Sequence, residues 1–429
     1  MDIYFRRNTI GISSVEFFWG LGMPVVMEST FLQLFLRNLG ASNFLIGLIP
    51  SLFYGGVAVF SLFAGSLTGH VEHKRPVVIG VHVAASLPIL IFGIVLVLTG
   101  FGSSILFVFY CCYALFSVGI GSVLPVWQNY LVKIFIPQRS ISALSVMWIS
   151  QSVAKIISSY LLLTIVERYS FSVSGTSMIF TGIGLLFFGG SFLFLITREK
   201  SEQSRKATPT ARIGLFHGFR SVLRNRNFVL FLSTELEYFA LIGIISFYAN
   251  YATAHCGIEP ALASGLFVAF YYFGGITVNI LLGWFQLLSL KNKYWVTKPL
   301  AALAAPLICF VGKPWAFFLA SYLFGASRST RNLVYPPAVK CLSGQEDATH
   351  YFAIAPLFTL PLSVGLPLLE GTVLDNLAFM GGESYRITFL ALALLSLTSL
   401  IFLSRIDSGA LQPRPREAVE QASGAQGSA

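Results

Sequence analysis

Long apolar runs, separated by short polar or glycine- and proline-bearing stretches, dominate the chain. Twelve of them fall at roughly 9–36, 43–67, 76–99, 105–128, 141–165, 177–197, 228–254, 261–287, 296–312, 314–339, 350–374 and 386–404. A membrane-spanning helix needs about 20 apolar residues, and each run reaches or approaches that length. Polar and apolar residues do not alternate within the runs, as they would in the strands of a membrane barrel; Leu87–Thr99, LPILIFGIVLVLT, is an example. The pattern predicts twelve transmembrane helices. The ninth run is short and carries Pro299 and Pro306, which makes it the least regular. The first continues to about Leu36, contains Glu16 and Glu28 and has no A-x-A site, so it reads as a retained helix and not as a cleaved leader.

A basic stretch from Arg198 to Asn227 divides the runs six and six. The expected organisation is a six-helix bundle over 1–197, a linker over 198–227, a second bundle over 228–405 and a disordered tail over 406–429. In the linker, Ile213, Phe216, Phe219 and Val222 recur at helical spacing among Arg212, Arg220 and Arg224. That pattern predicts an amphipathic helix lying on anionic lipid.

Composition sharpens the picture. Hydrophobic residues make up 55% and charged residues 11% of the 429, against roughly 25% charged in soluble domains. A water-soluble globule and a disordered chain are both excluded. The net charge of +10 would suggest nucleic acid as a partner in a soluble protein, but here it orients helices. With both termini cytoplasmic, 21 Lys and Arg lie inside, 4 outside and three within spans, the bias expected of cytoplasmic loops. The expected location is the cytoplasmic membrane. The five Cys form no CxxC or Cys/His cluster, so no disulfide framework, metal site or cofactor is expected. There is no G-x-x-x-x-G-K-[ST] loop for nucleotide.

The halves also resemble each other. LGASNFLIGLIPSLFYGG (Leu39–Gly56) is similar to CGIEPALASGLFVAFYYFGG (Cys256–Gly275), and Glu16 and Trp19 align with Glu235 and Tyr238 at an offset of 219 residues. Between the second and third helices, GSLTGHVEHKR (Gly65–Arg75) resembles the G-x-L-x-D-R-x-G-R-K-R loop of major facilitator superfamily transporters. Gly65, Leu67, Lys74 and Arg75 fit, while Gly69 stands where the family has Asp; Pro137 and Arg139 resemble the family's short loop after the fourth helix. The resemblance spans about 5–405. It implies an all-α polytopic membrane protein whose twelve transmembrane helices form two pseudo-symmetric six-helix bundles. It also implies a cytoplasmic gate at Gly65, Leu67, Gly69, Lys74, Arg75 and Arg139. The fourth helix has no membrane arginine, and the fifth has no glycine-rich run ending in Gly-Pro. Both absences weigh against the family's drug antiporters.

Ionisable residues inside spans cost about 2.5–3.5 kcal/mol each at the helix centre, so they mark candidate chemistry. Glu16 and Trp19 share a face of helix 1, as do Glu235 and Tyr238 on helix 7, and the repeat predicts that both pairs face a central cavity. Glu237 lies roughly 200° round from Glu235, so only one of them is expected to point inward. Gln151 and Lys155 form a polar stripe on helix 5, Arg328 and Arg331 share a face of helix 10, and Asn279 is a candidate on helix 8. Glu370 is expected near the outer end of helix 11.

The reading is secondary transport of a small polar solute, anionic or zwitterionic, by alternating access. Arg328, Arg331 and Lys155 bind the solute, and Glu16 and Glu235 carry a coupling proton or other ion. The chain is expected to act as a monomer in lipid, and not as an enzyme. Two alternatives remain open: efflux of a drug or lipophile, and a non-transporting receptor or assembly factor on the same fold.

Overall fold

The computed structural model describes residues 4–27, 30–68, 71, 73–135, 137–199, 222–285, 287–344 and 349–411. Among them the N-terminal set of helices comprises α1 (Phe5–Val26), α2 (Thr30–Asn38), α3 (Asn43–Thr68), α4 (Lys74–Thr99), α5 (Ile105–Ile134), α6 (Pro137–Tyr169) and α7 (Val173–Ser191), which ends in the 3-10 turn Phe192–Ile196. The C-terminal set comprises α8 (Arg226–Ser233), α9 (Leu236–His255), α10 (Pro260–Val278) with the π-helical turn Asn279–Trp284, α11 (Leu290–Phe310), α12 (Pro314–Ser343), α13 (Thr349–Asn376) and α14 (Gly382–Ser404).

Among the described residues, ten helical segments are long and apolar enough to cross a membrane. Helices α11 and α12, 21 and 30 residues long, also exceed the span of the hydrocarbon core, which takes about 20 residues; cations in both lower their hydropathy. The fold is thus the expected twelve-span bundle. Its outer surface confirms the solvent: Leu98 and Trp284 are each 77% exposed, and Phe107 and Phe310 each 73%. Water would not tolerate so wide an apolar belt.

The structure redraws several expected boundaries. The run 9–36 is two helices, α1 and α2. The run 228–254 breaks at Thr234–Glu235. The run 296–312 is a regular helix that keeps Pro299 and Pro306 inside it, since neighbouring helices satisfy the backbone groups that a proline frees. Of the expected disordered tail, residues 406–411 instead pack back, with Ile406 and Leu411 buried. Most of the amphipathic linker helix, Gly69 and Glu28 lie outside the described residues. So do the side chains of Leu67 and Arg139, although α3 and α6 include these two positions and Gly65 lies on α3.

One end of the bundle carries residues 38–42, 100–104, 170–172, 256–259 and 377–381, here termed the loop end. The other carries residues 4–6, 197–199, 222–225 and 405–411, here termed the terminal end. The two sets meet along two seams, α3 against α13 and α6 against α10, with α2 laid across α9 and α10. Among the described residues, hydrogen bonds between the sets concentrate toward the loop end. Gln33 of α2 donates to the Ile245 carbonyl (3.0 Å) and accepts from the Asn250 N–H (3.2 Å). Asp375 of α13 accepts from the Asn43 and Phe44 N–H groups, both at 2.8 Å. Ser51 donates to the Val364 carbonyl at 2.8 Å, and Tyr385 to the Asn43 side chain at 3.1 Å. The backbones themselves touch: a Cβ on Gly47 would stand 2.3 Å from the Pro367 carbonyl oxygen, so only glycine permits the α3–α13 approach.

Candidate functional site

The C-terminal set holds a buried network of charge. It starts from the break between α8 and α9, where Glu235 precedes the first turn of α9. Its Oε2 accepts from Arg331 Nε at 2.8 Å and Arg331 Nη2 at 2.7 Å, while Oε1 has no partner among the described residues. The Arg331 guanidinium lies over the Tyr238 ring at 4.5 Å and the Tyr335 ring at 4.1 Å. A planar cation between aromatic faces is held in orientation as well as in charge.

Two residues on, Glu237 projects to another side of the helix and finds a different cation. Its Oε2 lies 3.2 Å from Lys298 Nζ on α11, and its Oε1 accepts from Ser327 Oγ on α12 at 2.6 Å. Lys298 Nζ also donates to the Thr234 carbonyl at 2.8 Å. The two acids thus point to different sides of the helix, and both are withdrawn from water. Both are 1% exposed, because α11 and α12 each supply a cation. Lys298, 2% exposed inside α11, belongs to the core and not to a loop.

Arg328 stands one turn from Arg331 on α12. Its Nη1 donates to the Tyr271 hydroxyl of α10 at 2.8 Å. It also lines a small pocket between the two sets, with Pro50, Phe53 and Tyr54 of α3, Tyr113 of α5, and Ile242 and Ser246 of α9. Beside this pocket the Tyr54 and Tyr238 hydroxyls meet at 3.0 Å across the divide. On the N-terminal side, Glu16 accepts from Gln151 Nε2 at 2.6 Å. Lys155, one turn along α6, places its ammonium 4.6 Å from the Tyr272 ring of α10.

The repeat does not carry its side chains into equivalent places. Trp19 leaves the expected cavity: it stacks on Phe187 of α7 with ring centroids 4.4 Å apart and meets His82 of α4 edge-on at 5.0 Å, inside the N-terminal core. Tyr238, its repeat partner, faces the opposite set. Asn279 is exposed at the start of the π-helical turn, apart from the other candidates.

At the terminal end, Lys74 and Arg75 open α4. Glu199, just past the last turn of the N-terminal set, accepts from both of their backbone N–H groups and pairs with Lys133 Nζ at 2.8 Å. Arg75 also reaches the Thr197 carbonyl at 3.0 Å. Glu199 thus supplies the start of α4 with a carboxylate. Burial pushes the Glu199 carboxyl up, but the Lys133 ammonium and the two N–H groups outweigh it and hold it below its ordinary value of 4.5. A depressed folded value gives stability that is present above that ordinary value and lost as pH falls toward the folded one. In melting scans, wild-type protein should therefore exceed Glu199→Gln above that range, and the gap should close as the pH falls through it. A gap of constant size would show that shape and not charge holds the α4 terminus.

These features define a multi-pass membrane protein with paired charges buried between two sets of helices and a pocket between them, the architecture of a secondary transporter. The family model of the Major Facilitator Superfamily matches residues 17–335, and the chain belongs to that superfamily; it is a transporter and not an enzyme. Solved structures similar to it include a variant of the nucleoside transporter NupG (12% identity, covering 93% of this chain and 100% of that one, TM-score 0.73). Others are the POT family transporter PepTSo (14%, 96% and 99%, TM-score 0.69) and the E. coli fucose:proton symporter FucP (12%, 94% and 100%, TM-score 0.64). At these identities the likeness establishes the fold. No curated protein sequence matches the chain.

Proposed function

We propose that the protein moves a small anionic or zwitterionic solute across the cytoplasmic membrane by alternating access, driven by protons. The observation that carries this reading is Arg328: a guanidinium set among tyrosine rings and hydroxyls in the pocket between the two sets. A fork of N–H donors suits a carboxylate or phosphate, and a charged wall repels a lipophilic cargo. Lys155, across the divide, offers a second cation. Residues 1–197 and 228–405 are the units that rock against each other, with both termini and the 198–227 linker in the cytoplasm. In that orientation the sealed loop end faces outward and the solute enters or leaves from the cytoplasmic side. Among the membrane carboxyls, Glu16 is the coupling candidate, since its partner Gln151 is neutral, whereas Glu235 and Glu237 are held by cations. The nucleoside, peptide-family and fucose:proton transporters of the same fold agree with a polar cargo.

A thermal-shift screen of the detergent-purified protein against anionic, zwitterionic and neutral metabolites tests the reading. Stabilisation is expected from the first two classes only. Removing a hydrogen bond to a charged group costs about 1.5–3 kcal/mol, so Arg328→Ala should weaken the hit by roughly ten- to a hundredfold. Arg328→Lys should recover part of it. A neutral lipophile that stabilises the protein equally with and without Arg328 would overturn the assignment.

A further inference from the structure

We propose that the groove between α1 and α6 at the terminal end binds one anionic phospholipid, with its phosphate on an arginine cluster at the mouth and an acyl chain along the groove. One face of α1 forms the first wall: Arg6 and Arg7, then Ile10, Ser14, Phe17 and Phe18 follow at steps of three or four residues and so lie in one row. Val146 and Ser150 of α6 form the opposite wall, and the space between them is about 370 Å³, within the range of small-molecule sites, about 300–1,000 Å³. Every lining residue belongs to α1 or α6, so the groove is separate from the solute pocket between the sets. It opens on the outer apolar belt. Ile10 is 60% and Val146 49% exposed, and Val146 begins a strip of exposed apolar residues, Ile149, Val153 and Tyr160, along α6. A site that opens there is reached from the bilayer, so its occupant carries hydrocarbon.

The mouth is cationic. Arg6, Arg7 and Arg198 are all exposed there. Arg7 Nε donates to the Ile196 carbonyl at the end of the 3-10 turn that follows α7. Asn8 clamps the Arg198 backbone, accepting from its N–H at 2.7 Å and donating to its carbonyl at 3.0 Å. The Arg198 guanidinium lies 5.7 Å from the Tyr4 ring. The three cations are thus gathered around the first turn of α1. Among the described residues no carboxylate pairs with any of them. Glu199, the next residue in the chain, is taken by Lys133 and by the N–H groups that open α4. Three guanidiniums without a counter-charge at the edge of a bilayer attract a lipid phosphate, and the arginine fork matches its oxygens.

The groove also holds an unpartnered hydroxyl. Ser13 lines it, yet Ser13 Oγ is buried and has no hydrogen-bond partner among the described residues. The Ser13 carbonyl is taken by Ser150 Oγ at 2.9 Å, which ties α6 to α1 at this level. A buried hydroxyl without an acceptor is unfavourable. The ester carbonyls of a phospholipid lie between its phosphate and its chains, and they supply that acceptor below the arginines. The order down the groove is cations, then the hydroxyls of Ser13 and Ser14, then the rings of Phe17 and Phe18. Phosphate, ester and hydrocarbon follow one another in the same order along the lipid. The site shares no residue with the solute pocket, so it stands or falls independently of the transport reading.

The probes are phosphatidylglycerol, phosphatidylcholine with the same chains, and sn-glycerol 3-phosphate, each added to the delipidated full chain in neutral detergent. Native mass spectrometry counts bound lipid, and melting scans across lipid concentration give the affinity. One phosphatidylglycerol should bind saturably and raise the melting midpoint; the other two probes should do neither at the same concentrations. Replacing all three cations, Arg6→Gln, Arg7→Gln and Arg198→Gln, should weaken phosphatidylglycerol binding roughly a hundredfold, taking each cation at a membrane surface as roughly a fivefold factor. Ser14→Phe fills the groove and leaves the arginines in place, and it too should lose the bound lipid. Circular dichroism and the lipid-free melting midpoint confirm that each variant is folded. If either folded variant binds phosphatidylglycerol as tightly as wild type, the site is wrong. Equal stabilisation by phosphatidylcholine would show that hydrocarbon alone is recognised, and equal stabilisation by glycerol phosphate that a free anion is; either result overturns the proposal. Should the triple variant fail to fold, Ser14→Phe and the wild-type probe series decide.

Discussion

Lys298→Met is expected to destabilise the protein by about 3–5 kcal/mol, the usual cost of removing one partner from a buried ion pair. The side chains of Lys298 and Glu237 are 1% and 2% exposed, so neither is screened by solvent. Methionine fills most of the space that the lysine stem occupied, which confines the loss to charge and hydrogen bonding. The Glu237 carboxylate would retain Ser327 as a donor but no cation, and the Thr234 carbonyl would lose the ammonium that donates to it. Adding Glu237→Met should restore much of the stability, because replacing both members of a buried pair by apolar groups is often neutral. The surface pair Arg386–Glu383, with side chains 41% and 59% exposed, provides the control: Glu383→Gln should cost less than about 1 kcal/mol. Denaturation in detergent, calibrated against wild type, reads all four proteins. If Lys298→Met unfolds with the wild-type midpoint, the pair is not holding α9, α11 and α12 together.

The second large effect is conformational. Asp375→Ala should open the loop end. Its carboxylate accepts from two backbone N–H groups and from the Asn43 amide at 2.9 Å, all belonging to the first turn of α3 in the other set. The carboxylate also faces the positive end of the helix dipole. Each such charge-assisted bond contributes about 1.5–3 kcal/mol, so losing even one net bond shifts the balance of sealed and opened forms by ten- to a hundredfold. The alkylation rate of a single cysteine introduced at Asn43 should rise accordingly in the presence of Asp375→Ala. Asp375→Asn, which keeps one acceptor oxygen, should fall between. An unchanged rate would mean that glycine packing along the seam, and not this cap, sets the closed state.

Much of the fold was legible because membrane helices announce themselves by unbroken hydropathy. The starts of α3, α5 and α12 coincide with the predicted runs, and the prolines of α11 obscured its regularity but not its existence. The candidate site was legible as a set of residues, not as an arrangement. Glu16, Lys155, Glu235, Arg328 and Arg331 were singled out by the cost of charge in lipid, and that argument holds wherever each side chain points. It could not assign partners. Glu235 and Glu237 share a helix turn, and only the positions of α11 and α12 decide that both are buried. Lys298 was legible in retrospect: it lies eight residues into α11 with apolar residues on both sides of it, and a second acid on helix 7 was without a counter-charge. The Trp19–Tyr238 equivalence failed because an internal repeat constrains the path of the backbone and not the partners that neighbouring helices offer: Phe187 and His82 to Trp19, Tyr54 and Arg331 to Tyr238. Asp375 and Glu199 cap helices whose first residues lie far away in sequence, and no local pattern reveals such a cap.

The seam at the loop end has a thermal consequence. Its polar bonds and close backbone contacts sit beside apolar side chains from both sets, Phe31 and Ile46 on one side and Ile245 and Phe247 on the other, which form one buried cluster. Parting it therefore breaks hydrogen bonds and wets hydrocarbon together, and the second brings a heat-capacity change. A carrier whose slow step is parting such a seam has a cycle time whose Arrhenius line is curved.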